Sequence, residues 1–77
     1  MKKILREVFY WDGDDKVDIS LTLENDLHVI RMFRTDKTKK PRLAFDGMFH
    51  SYHSAAEEYD RMTKRFRSLQ DKEPLPV

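Results

Sequence analysis

The sequence predicts an α+β domain, a small, mainly antiparallel sheet of three to four strands with one C-terminal helix packed on one face. Three observations predict it. Residues 16–24 alternate between apolar and polar side chains with a period of two, the signature of a half-buried strand. Runs rich in β-formers are separated by short "DGDD" and "END" stretches, which favour tight hairpins. Ala55, Tyr59, Met62, Phe66 and Leu69 recur at alternating spacings of four and three, which places them on one stripe of a helix.

The first element, "KKILREVFYW", is rich in β-formers and carries apolar residues on both faces. Gly13 then supplies the positive φ that a tight turn needs. In "KVDISLTLE", Val17, Ile19, Leu21 and Leu23 share one face, and Asp18, Ser20, Thr22 and Glu24 share the other. After "END", "LHVIRMFR" sets Leu27, Val29 and Phe33 against Ile30 and Met32. Both of its faces are partly apolar, so it is expected to be central or covered on its outer side.

"TDKTKKP" is a polar loop closed by Pro41, which cannot donate to a ladder. "RLAF" is a short strand, and Asp46-Gly47 is expected to mark a turn or bulge before Met48 and Phe49. The helix is expected to be capped by Ser51, or by Ser54 in a capping box with Glu57. Glu57–Arg61 and Asp60–Lys64 are acid-first pairs four apart. The helix stripe is expected to pack on Val17, Ile19, Leu21 and Leu23, so that partner contact falls to the opposite sheet face and the basic loop.

Seventy-seven residues make one domain with a small core, assigned to residues 1–69, and residues 70–77, with two prolines, read as a flexible tail. No cysteine is present, which excludes disulfides and Cys-based zinc sites. The apolar run at the start is broken by Arg6 and Glu7, so neither a signal peptide nor a membrane span is expected there, and a cytoplasmic protein is the default expectation. Net charge is +1, but it is segregated: residues 12–26 sum to −5 and residues 31–42 to +5.

No catalytic constellation stands out, so no enzyme and no cofactor are expected. The acidic run fails the calcium-loop spacing, because Val17 and Leu23 stand where glycine and the bidentate glutamate belong. His50 and His53 lack a third strong ligand, so no metal is expected.

The basic stretch supplies the candidate binding residues: Arg31, Arg34, Lys37, Lys39, Lys40 and Arg42. The lysines would supply mobile positive charge to phosphates, while the arginines project from the strands toward base edges, since a major groove admits a two-stranded ribbon. The bland alternative is a lysine-rich loop that keeps a sheet edge soluble.

Gly47 and Phe49, Ala55 and Ala56, then Tyr59 and Asp60 follow in the order and spacing of a Gly-x-Phe strand end leading into a helix with paired alanines and Tyr-Asp. Over about residues 17–66 the chain thereby resembles the ethylene-response-factor type of DNA-binding domain and the arm-binding domains of tyrosine integrases. The resemblance implies a three-stranded sheet braced by a helix, and nucleic acid as the partner. Two functions are therefore expected: a nucleic-acid-binding accessory protein, or a protein-binding adaptor or inhibitor of the phage or mobile-element kind. An apolar outer face would also suit a homodimer.

Overall fold

The computed structural model describes the backbone of residues 2–72 and the side chains of residues 2–67. Four strands, β1 (Lys2–Asp12), β2 (Asp15–Glu24), β3 (Leu27–Thr35) and β4 (Pro41–Phe49), are followed by one helix, α1 (Tyr52–Lys72). The strands form a single antiparallel meander in the order β1-β2-β3-β4. The Leu69 side chain and residues 73–77 of the expected tail lie outside the described residues, and the helix backbone runs on to Lys72.

Turn chemistry sets the register. Asp12 pairs with Asp15 across the two-residue Gly13-Asp14 turn, and Gly13 holds φ +64° at its first central position. Glu24 pairs with Leu27 across Asn25 and Asp26, both at positive φ, as a type I′ hairpin requires. The five-residue β3–β4 connection is organised by Asp36, whose carboxylate accepts from the Thr38 amide at 2.9 Å and the Thr38 hydroxyl at 2.5 Å. These donors hold the Asp36 carboxyl below the usual carboxylate range.

One expectation fails at β4. Asp46 and Gly47 form no turn, because they pair with Arg31 and Ile30 inside a continuous strand. The irregularity lies earlier, where Met32 pairs with Phe45 and Phe33 with Leu43, leaving Ala44 as the extra residue of a bulge. Gly47 is needed for another reason: a Cβ there would meet the Phe45 ring at 3.0 Å and the Phe49 ring at 3.3 Å. The glycine lets both rings close over the strand.

The helix starts as expected at Ser51, whose hydroxyl accepts from the Ser54 amide at 3.1 Å. Ser54 therefore lies inside the first turn and forms no capping box. The expected acid-first pairs are also replaced. Glu57 pairs with His53 at 3.2 Å, Arg61 with Glu58 at 2.7 Å, and Asp60 reaches across to Arg6 of β1 at 3.0 Å. Asp60 is adjacent to buried Tyr59 and so faces the sheet margin, where a guanidinium is the nearer partner. That guanidinium also lies 4.6 Å from the centre of the Tyr59 ring.

The core lies between α1 and one sheet face. Val17, Ile19, Leu21 and Ile30 are fully buried, and they meet Ala55, Tyr59 and the stacked pair Tyr10–Phe66, whose ring centroids are 5.8 Å apart. Met32, Phe45, Phe49 and Met62 close its margins. Leu23, expected in this core, is only partly covered and lies outside it, beside Lys3, Asn25 and Asp26 at the end of the sheet. The molecule is a two-layer slab with principal extents of 44, 27 and 16 Å.

Candidate contact surface

The antiparallel register places the acidic β1–β2 hairpin beside the basic β3–β4 hairpin, so charges segregated along the chain meet in space. Arg34 lies opposite Val17, on the helix side of the sheet but at its hairpin end. It donates to the carboxylates of Asp12 and Asp15, the latter at 2.8 Å. Lys37 lies 3.4 Å from Asp14. Arg31 points to the other face, where it donates to both oxygens of Glu24 and lies 4.0 Å from Asp46.

The six candidate residues therefore do not form one surface. Arg31 lies on the face away from the helix, Arg34 and Arg42 pair across strands on the helix side, and Lys37, Lys39 and Lys40 sit on the exposed loop. Three of the six have carboxylate partners of their own. Hydrogen bonds from Arg31 and then from the Thr22 hydroxyl lower the Glu24 carboxyl to about 2. Hydrogen bonds to Asp12 and Asp15 likewise raise Arg34 above its ordinary value.

Of the face away from the helix, the sequence marks only the doubly apolar "LHVIRMF". Register alternation resolves it into cross-strand rows. One row carries Phe9, Asp18, Phe33 and Leu43, and the next carries Trp11, Lys16, Thr35 and Pro41. Phe9, Trp11 and Leu43 are each more than half exposed, at 52%, 58% and 53%, with Phe33 at 36%. Phe9 and Trp11 meet edge to face with centroids 6.4 Å apart, and the Lys16 ammonium lies 4.6 Å from the Phe9 ring centre.

A charged row of Glu7, Ser20, Arg31 and Asp46 crosses the middle, and beyond it Ile4, Thr22, Val29 and Met48 form a second apolar row. Thr22 and Val29 are 2% and 3% exposed although no helix covers them. The Arg31–Glu24–Thr22 hydrogen-bond chain lies over this end of the face. Ile4 and Met48 flank it at 58% and 68% exposure. The signal was present in β1, where Phe9 and Trp11 alternate with Val8 and Tyr10, but alternation alone does not say which set the helix covers.

A concavity of about 480 Å³ lies between α1 and the β3–β4 side, with Met32, Phe45, Met62 and Phe66 as its apolar lining and Glu58, Arg61 and Arg65 as its polar one. Among the described residues, no group of three or more His, Cys, Asp or Glu side chains is placed to hold a metal ion. No described helix is long and apolar enough to cross a membrane. Comparison of the chain with protein-family models, curated proteins and solved structures gave no match.

Proposed function

We propose that the chain is a small non-enzymatic binding protein that contacts a protein partner through the sheet face opposite α1. The observation that carries this reading is the set of large apolar side chains, Phe9, Trp11, Phe33 and Leu43, exposed on adjacent rows of one sheet face. A one-sided antiparallel sheet ordinarily turns polar side chains to water. Contiguous exposed apolar surface of this kind marks an interaction site, with aromatic side chains the usual anchors.

A nucleic-acid partner is the second reading. It is favoured by Lys39 and Lys40, which make no ion pair among the described residues and stand on the loop next to the aromatic rows. Phe9, Trp11 and Phe33 would then stack bases, as aromatic residues on open sheets do for single strands. The interleaving of Asp12, Asp14 and Asp15 with Arg34 and Lys37 weighs against it, since carboxylates beside the cations lower the potential that attracts phosphate.

Capture from lysate, with and without nuclease, by the wild-type chain and by Phe33→Asp tests both readings. Nuclease-resistant capture lost in Phe33→Asp supports a protein partner. Nuclease-sensitive capture that falls steeply with salt, and falls again when Lys37, Lys39 and Lys40 are neutralised, supports nucleic acid.

A further inference from the structure

We infer that the protein covering the open sheet face is a second copy of this chain, in a face-to-face, two-fold dimer. The inference rests on the reading of that face as a protein-contact surface and specifies its occupant.

The area of the face suits a second copy. Strands of nine to eleven residues run about 30 Å, and four of them at about 4.8 Å spacing present roughly 600 Å² before side-chain relief is counted. A standard interface buries roughly 800 Å² per partner. Nearly the whole face must therefore be engaged, which a second sheet of the same size does and a short peptide does not.

The charge of the face suits a second copy as well. An isologous contact lays a patch on itself, so a strongly charged patch would repel its own copy. The outward charges are Lys2, Lys16 and Arg31 against Glu7, Asp18, Glu24 and Asp46, a sum of −1. Five of the seven are also paired within the face, Arg31 with Glu24 and Asp46, and Lys16 with Asp18. Such a face requires no oppositely charged partner.

The order of the rows is complementary on either side of the central Ser20–Arg31 row. A two-fold axis lying between the sheets and crossing the strands at that row lays the Phe9–Phe33–Leu43 row of one copy on the Ile4–Val29–Met48 row of the other. One step further out, Lys16 meets the Glu24 of the other copy, while the central row lies on itself, with Glu7 against Glu7 and with Arg31 already paired to Glu24 and Asp46 of its own sheet. The product is a helix–sheet–sheet–helix sandwich with its sheets about 10 Å apart.

Sedimentation velocity across a dilution series tests the inference, using the wild-type chain, Phe33→Asp on the open face and Arg65→Glu on the helix, with circular dichroism to confirm that each is folded. The wild type is expected to sediment as a dimer at high concentration and to dissociate on dilution. Phe33→Asp is expected to weaken the dimer at least about tenfold, and Arg65→Glu to leave it unchanged. Leu43→Lys replaces Phe33→Asp if the latter does not fold. A wild-type chain that stays monomeric, or a dimer indifferent to the face variants, overturns the inference. Lysate capture that still depends on Phe33 in a monomeric chain would preserve the protein-contact reading while rejecting the second copy. Binding of single-stranded oligonucleotide by a monomeric chain would instead assign the face to nucleic acid.

Discussion

Arg34 and Asp15 stand nineteen residues apart in the chain and meet at 2.8 Å, joining the basic β3–β4 hairpin to the acidic β1–β2 hairpin. Asp12 completes the cluster from the other side of the Gly13 turn. Charges that stand apart as two opposed runs in the sequence are, at this end of the fold, partly compensated. The role of the cluster is local: it ties two hairpin ends together.

Arg34→Ala should therefore destabilise the domain by about 1 kcal/mol, more than an isolated surface pair, because it leaves Asp12 and Asp15 facing each other without a cation. Urea denaturation measures it. Lysine at the same position should recover only part of the loss, since an ammonium does not match two carboxylates with a planar fork. Full recovery by lysine would show that charge alone holds the hairpins.

The Glu24 carboxyl, lowered from 4.5 to about 2 mainly by Arg31, predicts the acid limb of the stability curve. A depressed folded-state pKa contributes stability that is present above the unfolded value and lost as pH falls through the folded one. The urea midpoint should thus decline between about pH 4.5 and 2, and Glu24→Gln should flatten that decline while lowering the midpoint at neutral pH. An unchanged acid slope in Glu24→Gln would refute the pairing with Arg31.

The two glycines should respond to different substitutions. Gly13 has no atom within 4 Å of an added Cβ but sits at φ +64°, so Asn should be tolerated there better than Ala, by a fraction of the roughly 1–2 kcal/mol that left-handed backbone costs other residues. Gly47 has the opposite problem, with the Phe45 ring at 3.0 Å. Gly47→Val should cost about 1–3 kcal/mol by displacing Phe45 and Phe49 from the sheet. Thermal melts of the three variants distinguish strain from overpacking.

Helix–sheet packing should be most sensitive at Ala55, which is fully buried against the core. Ala55→Leu is expected to cost about 1–3 kcal/mol by lifting the helix from the sheet, and Ile19→Ala about 2–5 kcal/mol through the cavity it leaves. If Ala55→Leu proved neutral, the close approach of α1 to β2 and β3 would be disproved.

Much of this fold was legible in short-range chemistry. The period of two in β2, the Asp-Gly and Asn-Asp turns and the helix stripe from Ala55 to Phe66 each depend on neighbouring residues, and each appears where expected. Asp46-Gly47 was misread because the same pair serves a turn by its φ freedom and a strand by its lack of a side chain; only the Phe45 and Phe49 rings decide between them. The candidate surface was less legible for a similar reason. Arg31 and Arg34 look alike along the chain, yet a spacing of three in a strand sends them to opposite faces and toward different carboxylates. Ion pairing across hairpins is a property of register, and register emerges only when strands are assembled.

Trp11 is the sole tryptophan and lies exposed on the open face, so its fluorescence reports directly on whether that face is covered. Acrylamide quenching of Trp11 should weaken, and its emission should move to shorter wavelength, as the concentration of the chain rises through the dimer dissociation constant. Phe33→Asp should show neither change over the same range. Quenching of wild-type Trp11 that is equally strong at every concentration would contradict the claim that a second copy covers this face.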